Sequence, residues 1–419
     1  MTFAEHIEKA RVQWACAVLV ALAAVAITDA FTGTIPRPLF DGWFYSDMAA
    51  NGIAGNPRLV APFAYRPAGP LIAGFIAELF SVPVPTAFGI LARLAAVTTL
   101  LLVFGFARSF GAGFQGSLAA ETAIAFSCFQ LKFPLYFPML VDVVSYPLVL
   151  LAVWALLRRM FVECLLLSCA GMFFKEFLVI PALLVSWCLG SAYRRDRSWR
   201  TLLSLGCALA LTAVCVAAPR IFIPVVGSRQ FIDPIRDPAS LSKLMTVPLD
   251  WRRDVNLAFS LISYWLPTLL LVTSARLGKL WNAMEAERGL LLAYAGGVLI
   301  LALYGGTNLM VFVTYTLPVQ AIALSRLASG GDVDTREIAF MLAAVLVFNR
   351  ILLAFPVLTP DDPALFRFVD FYGGWSSRIT TSTALRSLEL VGYLVLAVAL
   401  RRFAWQRARL LARRASGSG

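Results

Sequence analysis

Long apolar runs, separated by short polar or charged turns, make up most of the chain. They predict membrane-spanning helices, because about 20 apolar residues in a helix cross a hydrocarbon core of about 30 Å. The runs that we interpret as crossings are 12–31, 86–107, 116–131, 136–157, 161–174, 176–191, 201–219, 257–275, 289–304, 309–324, 337–356 and 385–400. The pattern therefore predicts an all-α fold, a polytopic transmembrane helical bundle of about 12 spans.

One further run, 67–80, is too short to cross, since its 14 residues extend only about 21 Å as a helix. Lys and Arg are enriched in cytoplasmic loops, which makes 158–159 and 194–197 cytoplasmic. Counting crossings from these loops predicts an uncleaved first helix and cytoplasmic termini. It leaves 67–80 as an interfacial helix on the outer side and makes 161–190 a hairpin whose outer tip is Lys175-Glu176.

Composition narrows the class of protein. Of 419 residues, 60% are hydrophobic and 14% are charged, whereas soluble proteins are nearer 45–50% and 25%. This excludes a soluble enzyme, a nucleic-acid-binding domain and a disordered chain. The net charge of +12 is explained in part by the segment 401–419, which has six arginines and no acid and is predicted to contact anionic lipid. The cysteines lie in apolar runs and the single histidine is His6, so disulfides and a zinc or haem site are not expected.

The outer face carries more charge than topology requires. In the first outer loop, 32–85, Asp41 and Tyr45 are spaced to share one helix face, and Asp47 follows in the same segment. The loop then places Tyr65 and Arg66 directly before the short interfacial helix. These residues predict a polar site at the membrane surface.

Other outer segments supply further charges. Asp142 is expected about one turn inside a span, where a lone carboxylate is costly unless it has a partner or a function. Lys175 and Glu176 form the hairpin tip, and Arg378 lies in the last outer loop, 357–384, which follows the long outer loop 220–256. We expect these groups to face the same side as Asp41.

These residue types suit chemistry on a lipid-linked phosphate. A carboxylate can act as a general base on a hydroxyl, and arginine or lysine can neutralise a phosphate leaving group. Structural alternatives stay open for each group: Asp41 as a helix cap, Asp142 as an ion-pair partner of Lys132 or Arg66, the hairpin tip as a solvated turn, and Arg66 as an interfacial anchor.

The order of these groups resembles the GT-C superfamily of polytopic glycosyltransferases, which includes protein O-mannosyltransferases and bacterial aminoarabinose transferases. The resemblance covers roughly residues 10–220. It implies that Asp41 is the base, that Asp142 is a second acid, and that Arg66 and Lys175 bind the lipid phosphate. The chain departs from the superfamily pattern of a paired Asp-Glu, because Gly42 follows Asp41 and Asp47 would have to substitute; it also lacks a large soluble C-terminal domain.

The resemblance implies a GT-C-like catalytic module over 1–220, additional helices over 221–400 and a basic cytoplasmic tail over 401–419. It implies an inner-membrane enzyme with an outward-facing site that moves a sugar, with inversion, from a polyprenyl-phosphate donor to a glycan, lipid or protein acceptor. The expected substrate-binding residues are Tyr45, Asp47, Tyr65, Arg66, Lys175, Glu176 and Arg378. No cofactor is required, although Asp41, Asp47 and Asp142 could share a divalent cation such as Mg²⁺ or Mn²⁺.

Two other functions fit a polytopic chain with these charges. The first is a transporter or flippase for a lipid-linked or anionic substrate, which should show inverted repeats and charges near the bilayer midplane. The second is a non-catalytic subunit of a polysaccharide-export assembly. The sequence shows no internal repeat, and its charges lie at one boundary, which favours the transferase.

Overall fold

The computed structural model describes residues 3–33, 38, 41–229, 237–305, 308–354 and 381–416. Within these ranges the chain is almost entirely helical. The helices of the first half are α1 (Phe3–Thr32), α2 (Gly42–Asn51), α3 (Ala68–Phe80), α4 (Val84–Ser109), α5 (Phe114–Ala125), α6 (Phe133–Tyr136), α7 (Asp142–Leu157), α8 (Phe161–Met172), α9 (Val179–Asp196) and α10 (Trp199–Phe222). Those of the second half are α11 (Lys243–Thr246), α12 (Trp251–Leu271), α13 (Ser274–Ala283), α14 (Glu285–Tyr304), α15 (Leu309–Val313), α16 (Leu317–Ala328), α17 (Thr335–Phe348) and α18 (Thr381–Ser416).

The prediction of an all-α polytopic bundle is confirmed. Among the described residues, eight helical segments are long and apolar enough to cross a membrane, and α15 and α16 together form one of them. The other four predicted runs also contain helices, but α5, α7, α8 and α17 have only 12 to 16 residues. The short run before α4 is the 13-residue helix α3, as expected.

Two predicted boundaries are wrong. The run 116–131 is not one helix, because α5 ends at Ala125 and the chain continues as a π-helical segment, Cys128–Lys132. The next helix with a span-like composition begins at Asp142 rather than at 136. Pro134 and Pro138 lie in the intervening stretch, where each removes a backbone donor that a continuous helix would need.

The segment predicted as the first outer loop has a small core of its own. Buried apolar side chains from α2, the segment 59–64, α3 and α4 pack against Met139 and Val141. The approach of α2 to α3 is close: a Cβ atom on Gly74 would lie 2.5 Å from the carbonyl oxygen of Ala49. The strand β1 (Val60–Ala61) pairs in parallel with β2 (Gly227–Ser228), which fixes the segment after α10 against this loop. The loop is therefore a packed platform beside α4.

The α15–α16 segment is the most central of the span-like helices. Of its most apolar window, 94% is buried, compared with 11% for α10. The packing against α15 and α16 includes α5 and α12, and the aromatic side chain of Tyr315, between them, is fully buried. This position lets the second half of the chain contact the end of α7.

Candidate functional site

Asp41 precedes α2 without capping it. Its backbone carbonyl accepts hydrogen bonds from the N–H groups of Phe44 at 3.1 Å and Tyr45 at 3.3 Å, but its side chain makes no capping hydrogen bond. Asp41 is half-buried, and no cation in the described part of the chain lies within ion-pair distance of its carboxylate. The helix-cap and salt-bridge alternatives for Asp41 therefore find no support in its contacts.

Arg66 joins the first outer loop to the hairpin tip. Its guanidinium donates in fork geometry to Glu176, from Nε to Oε2 at 2.8 Å and from Nη2 to Oε1 at 2.5 Å. Its Nη1 donates to the hydroxyl of Tyr45 at 3.0 Å, one helical turn after Asp41. Only 8% of the Arg66 side chain is exposed, so this arginine is not an anchor snorkelling to the interface.

Lys175 makes the second contact of the hairpin tip. Its Nζ lies 2.7 Å from Oδ1 of Asp142, and its side chain is 4% exposed. The hydroxyl of Tyr315 donates to the same carboxylate oxygen at 3.0 Å and shares a hydrogen bond of 2.7 Å with Ser145. Asp142 therefore has two donors, one from each half of the chain. The prediction that it lies about one turn inside a span is wrong, because α7 begins at Asp142, but the acid has the partners that were expected of it.

The backbone of the tip explains why consecutive residues reach different partners. Lys175 is extended, with φ −159° and ψ 135°, after α8 ends and before α9 begins. Side chains in extended backbone alternate in direction, so Lys175 and Glu176 can point to Asp142 and Arg66 respectively. The N–H of Ala68 donates to the carbonyl of Phe173 at 3.1 Å, which holds the start of α3 against the tip.

Asp41 lies within electrostatic reach of both ion pairs. Loss of water contact raises the pKa of its carboxyl above the ordinary value of 3.8; Arg66 and Lys175 lower it, and Asp142 raises it. Burial likewise raises the pKa of the Tyr45 phenol, which stays protonated. Asp41 thus has the raised proton affinity expected of a general base, and no described residue forms a salt bridge with it.

A cavity of about 260 Å³ adjoins this cluster. Most of its wall is apolar, and its polar edge includes Glu176, Tyr65 and Arg220. The Arg220 guanidinium lies 5.2 Å above the ring of Tyr65 and donates to the Val216 carbonyl at 2.5 Å. Arg220 forms no ion pair with any described residue. The cavity therefore joins an apolar wall to an arginine that none of the described acids neutralises.

A second arginine reaches the cluster along the β1–β2 pairing. The N–H of Arg229 donates to the carbonyl of Ala61 at 2.8 Å, and its guanidinium lies 5.0 Å from the centre of the Phe44 ring. Phe44 in turn stacks on Phe63 at 4.6 Å. The positive charge of Arg229 lowers the pKa of Asp41, which places this arginine in the same electrostatic environment.

One predicted site residue, Asp47, is not part of the cluster. Asp47 is engaged within its own loop, where its oxygens accept from Asn51 at 3.0 Å and from Asn56 at 2.7 Å and lie 3.6 Å from Arg58. Arg378 lies outside the described residues.

The described residues do not fit a metal site. They contain no group of three or more His, Cys, Asp or Glu side chains placed to hold an ion. Asp142 is paired with Lys175, and Asp47 accepts hydrogen bonds within its own loop. Lys132, a predicted partner of Asp142, instead donates to the backbone carbonyls of Arg350 and, at 2.6 Å, Leu353. A divalent cation shared by the three aspartates is therefore not part of the proposed reaction.

Tyr315, Arg220 and Arg229 are the residues of this cluster that sequence reasoning missed. Tyr315 lies inside an apolar run that was interpreted only as a span, although the sequence Thr314-Tyr315-Thr316 interrupts that run with three polar side chains. Arg220 and Arg229 are two of the many charged residues of the predicted outer loop 220–256, and their sequence positions alone do not distinguish them from the others. The structure distinguishes them by position: Arg220 lines the cavity from the last turn of α10, and Arg229 directly follows β2, which pairs with β1.

Two solved structures are similar to this chain. The crystal structure of ArnT from Cupriavidus metallidurans bound to undecaprenyl phosphate is 13% identical, with 93% of this chain and 76% of that chain covered and a TM-score of 0.49. The apo structure of the same protein is 13% identical, with 94% and 77% covered and a TM-score of 0.48. At these values the similarity concerns the overall fold alone. No protein-family model and no curated protein sequence matches the chain.

Proposed function

We propose that the chain is an outward-facing membrane glycosyltransferase, which moves a sugar from a polyprenyl-phosphate donor to a glycan, lipid or protein acceptor with inversion of the anomeric carbon. The observation that carries the proposal is the carboxylate of Asp41, which has no ion-pair partner among the described residues and lies beside the Arg66–Glu176 and Lys175–Asp142 pairs. The apolar cavity at Glu176 and Arg220 lies next to this arrangement. A base, phosphate-binding cations and room for a lipid are the parts that the reaction needs.

The proposed reaction is a single displacement. The oxygen of the acceptor hydroxyl attacks the anomeric carbon of the donor sugar while the bond from that carbon to the phosphate oxygen breaks. The acceptor proton passes to the carboxylate of Asp41, and the electron pair of the broken bond leaves with the polyprenyl phosphate. Asp41 acts as general base, and one displacement inverts the anomeric centre.

The cations stabilise the charge that develops on the leaving phosphate. Arg66 and Lys175 are proposed for this role, and Arg220 is added as the cation that faces the cavity. Arg378 stays a proposed fourth cation. Asp142 positions Lys175 through their ion pair, and Tyr315 holds Asp142 from the second half of the chain. The apolar wall suits the first isoprenoid units of the donor.

The proposal is tested with purified protein in proteoliposomes that contain a radiolabelled polyprenyl-phosphate sugar and an acceptor glycan. We expect a new glycosidic product of inverted configuration, together with free polyprenyl phosphate. Asp142→Asn should lower the rate at least about tenfold, since it disturbs a phosphate-binding lysine. If the labelled donor crosses the membrane unchanged and no product forms, the chain is a transporter; activity that appears only with a co-purifying partner indicates a subunit.

The proposed orientation has its own test. Ser81 follows α3 and Arg195 lies in the last turn of α9, and both are exposed. In a background without native cysteines, we expect Ser81→Cys to react with an impermeant maleimide added outside intact cells. Arg195→Cys should react only after the membrane is opened. The reverse pattern would place the cluster and both termini on the opposite sides from those proposed.

A further inference from the structure

The guanidinium fork of Arg66 is occupied by a carboxylate. Both bonds of the fork go to Glu176, at 2.8 and 2.5 Å, and the third bond goes to Tyr45. An arginine fork matches the spacing of oxygens in a carboxylate and in a phosphate alike. Glu176 therefore occupies the place on Arg66 where two oxygens of a phosphate would bind.

The two members of this pair differ in how they meet the cavity. The Arg66 side chain is 8% exposed, whereas that of Glu176 is 42% exposed and lines the cavity wall. An anion that enters from the cavity meets Glu176 before it meets Arg66. Arg220 lies in the same wall and is free of acidic partners within the described residues, so it can attract such an anion first.

We propose that Glu176 is a resident counter-ion, which keeps Arg66 paired in the absence of substrate and is displaced by the phosphate of the polyprenyl ligand. By competing for Arg66, Glu176 sets the affinity of the site for phosphate. This inference rests on the proposed function, because it takes the lipid phosphate to be the ligand.

Charge explains why such a competitor is useful. A buried arginine without a partner is costly, so Glu176 stabilises the empty site. The donor is a phosphodiester with one negative charge, whereas the released polyprenyl phosphate is a monoester with about −1.5 to −2 charges near neutral pH. A site with only cations would hold the more highly charged product most tightly. A carboxylate that returns to Arg66 assists the product to leave.

Displacement requires little rearrangement. Glu176 begins a single 3₁₀ turn, Glu176–Leu178, between α8 and α9, and its side chain is the exposed member of the pair. Rotation of this side chain toward the cavity releases the fork without moving either helix. This rotation does not require the pair of Lys175 with Asp142 to break.

The test is the affinity of the purified full-length protein for polyprenyl phosphate at pH 8, measured by titration in nanodiscs. We expect Glu176→Gln to tighten this binding by about tenfold, because the variant loses the carboxylate that competes with the phosphate for Arg66. Binding of the donor phosphodiester should tighten less, because the donor carries less negative charge. In steady-state kinetics the same variant should show stronger product inhibition. Asp254→Asn, which removes an exposed acid at the start of α12, is the matched control and should leave both affinities unchanged.

Glu176→Asp covers the case in which the Gln variant does not fold. Its shorter carboxylate should hold Arg66 less well, so binding should tighten by less than in Glu176→Gln. Weaker or unchanged monoester binding in a folded variant overturns the proposal. If Glu176→Gln binds polyprenyl phosphate more tightly than wild type but the wild-type protein transfers no sugar, only the proposed function is contradicted. If the wild-type protein transfers sugar but Glu176→Gln does not bind the monoester more tightly, only the counter-ion proposal is contradicted.

Discussion

Two clusters of charge, at opposite ends of the bundle, differ in how completely they are neutralised. At the end of α12 far from Asp41, Arg276 donates to Glu337 at 2.5 Å, to Asp332 at 3.4 Å and to the carbonyl of Leu271 at 2.9 Å. Its neighbours join helix ends, and Glu337 also pairs with Arg401 at 3.5 Å. This cluster fastens α12, α17 and α18 together.

The cluster around Asp41 is organised differently. It contains two tight ion pairs, but Asp41 and Arg220 stand beside them without ion-pair partners among the described residues. Charges that only hold helices together have no reason to be left unpaired next to a cavity, since each buried charge is costly. The contrast indicates which of the few charges of this chain serve structure and which are available to a ligand.

The largest expected effect comes from breaking a pair in the Asp41 cluster. Asp142→Asn leaves the buried Nζ of Lys175 without a negative partner, so we expect a loss of about 3–5 kcal/mol in the free energy of unfolding. Thermal and SDS unfolding in one detergent measure it. The double variant Asp142→Asn/Lys175→Met should recover much of the lost stability. If Asp142→Asn is as stable as wild type, the Lys175–Asp142 pair does not contribute to stability as expected.

A smaller effect is expected at the cavity. Arg220→Gln removes the cation that faces it and should raise the KM for the donor about tenfold, the scale of one charge-assisted contact, with little change in stability. Arg252→Gln is the matched control, because Arg252 is an exposed arginine at the start of α12. Equal effects of the two substitutions would mean that Arg220 acts only through net charge.

The raised pKa of Asp41 predicts the acid side of the pH–rate profile. A base must be ionised, so kcat/KM should fall as pH is lowered through the pKa of Asp41, and this fall should begin above the pH expected for an aspartate with a pKa of 3.8. Lowering the local positive charge with Arg229→Gln should move the limb to higher pH, because Arg229 lowers that pKa. If the acid limb of the pH–rate profile does not shift in Arg229→Gln, a group other than Asp41 determines that limb.

The smallest effect is expected at the other cluster. Lys279 is 69% exposed and lies 3.5 Å from Asp332, so Lys279→Ala should change the free energy of unfolding by about 0–1 kcal/mol and leave transfer unchanged. Unfolding in the same detergent and the transfer assay check both. A large loss of activity would show that the cluster at this end also serves function.

Much of the fold could be predicted from sequence because apolar length and arginine position are local signals. Asp41, Arg66 and Asp142 could also be singled out as candidate site residues from sequence, because charged residues are rare in such an apolar chain. Partners could not be predicted, because they depend on packing. From sequence, Asp47 and Asp41 are equivalent candidates, and only the folded loop shows that Asp47 accepts a hydrogen bond from Asn56. Likewise, Tyr315 contacts Asp142 although 173 positions separate them in sequence.

The most direct test of the account compares two aspartates with the same substitution. Asp41→Asn removes the proposed base, while Asp334→Asn alters the N-cap of α17, a position where asparagine caps equally well. Both variants would be assayed for transfer from a polyprenyl-phosphate sugar and for stability at pH 7.

We expect Asp41→Asn to lose about 10²–10⁴-fold in kcat, the usual contribution of a general base, and Asp334→Asn to keep wild-type activity. Folding raises the pKa of Asp41 above its value in the unfolded chain. The ionised carboxylate therefore destabilises the folded protein relative to the protonated form, and this cost is present at pH values above the folded pKa. The inactive Asp41→Asn variant should therefore be at least as stable as wild type at pH 7. Full transfer activity in Asp41→Asn would contradict the central claim.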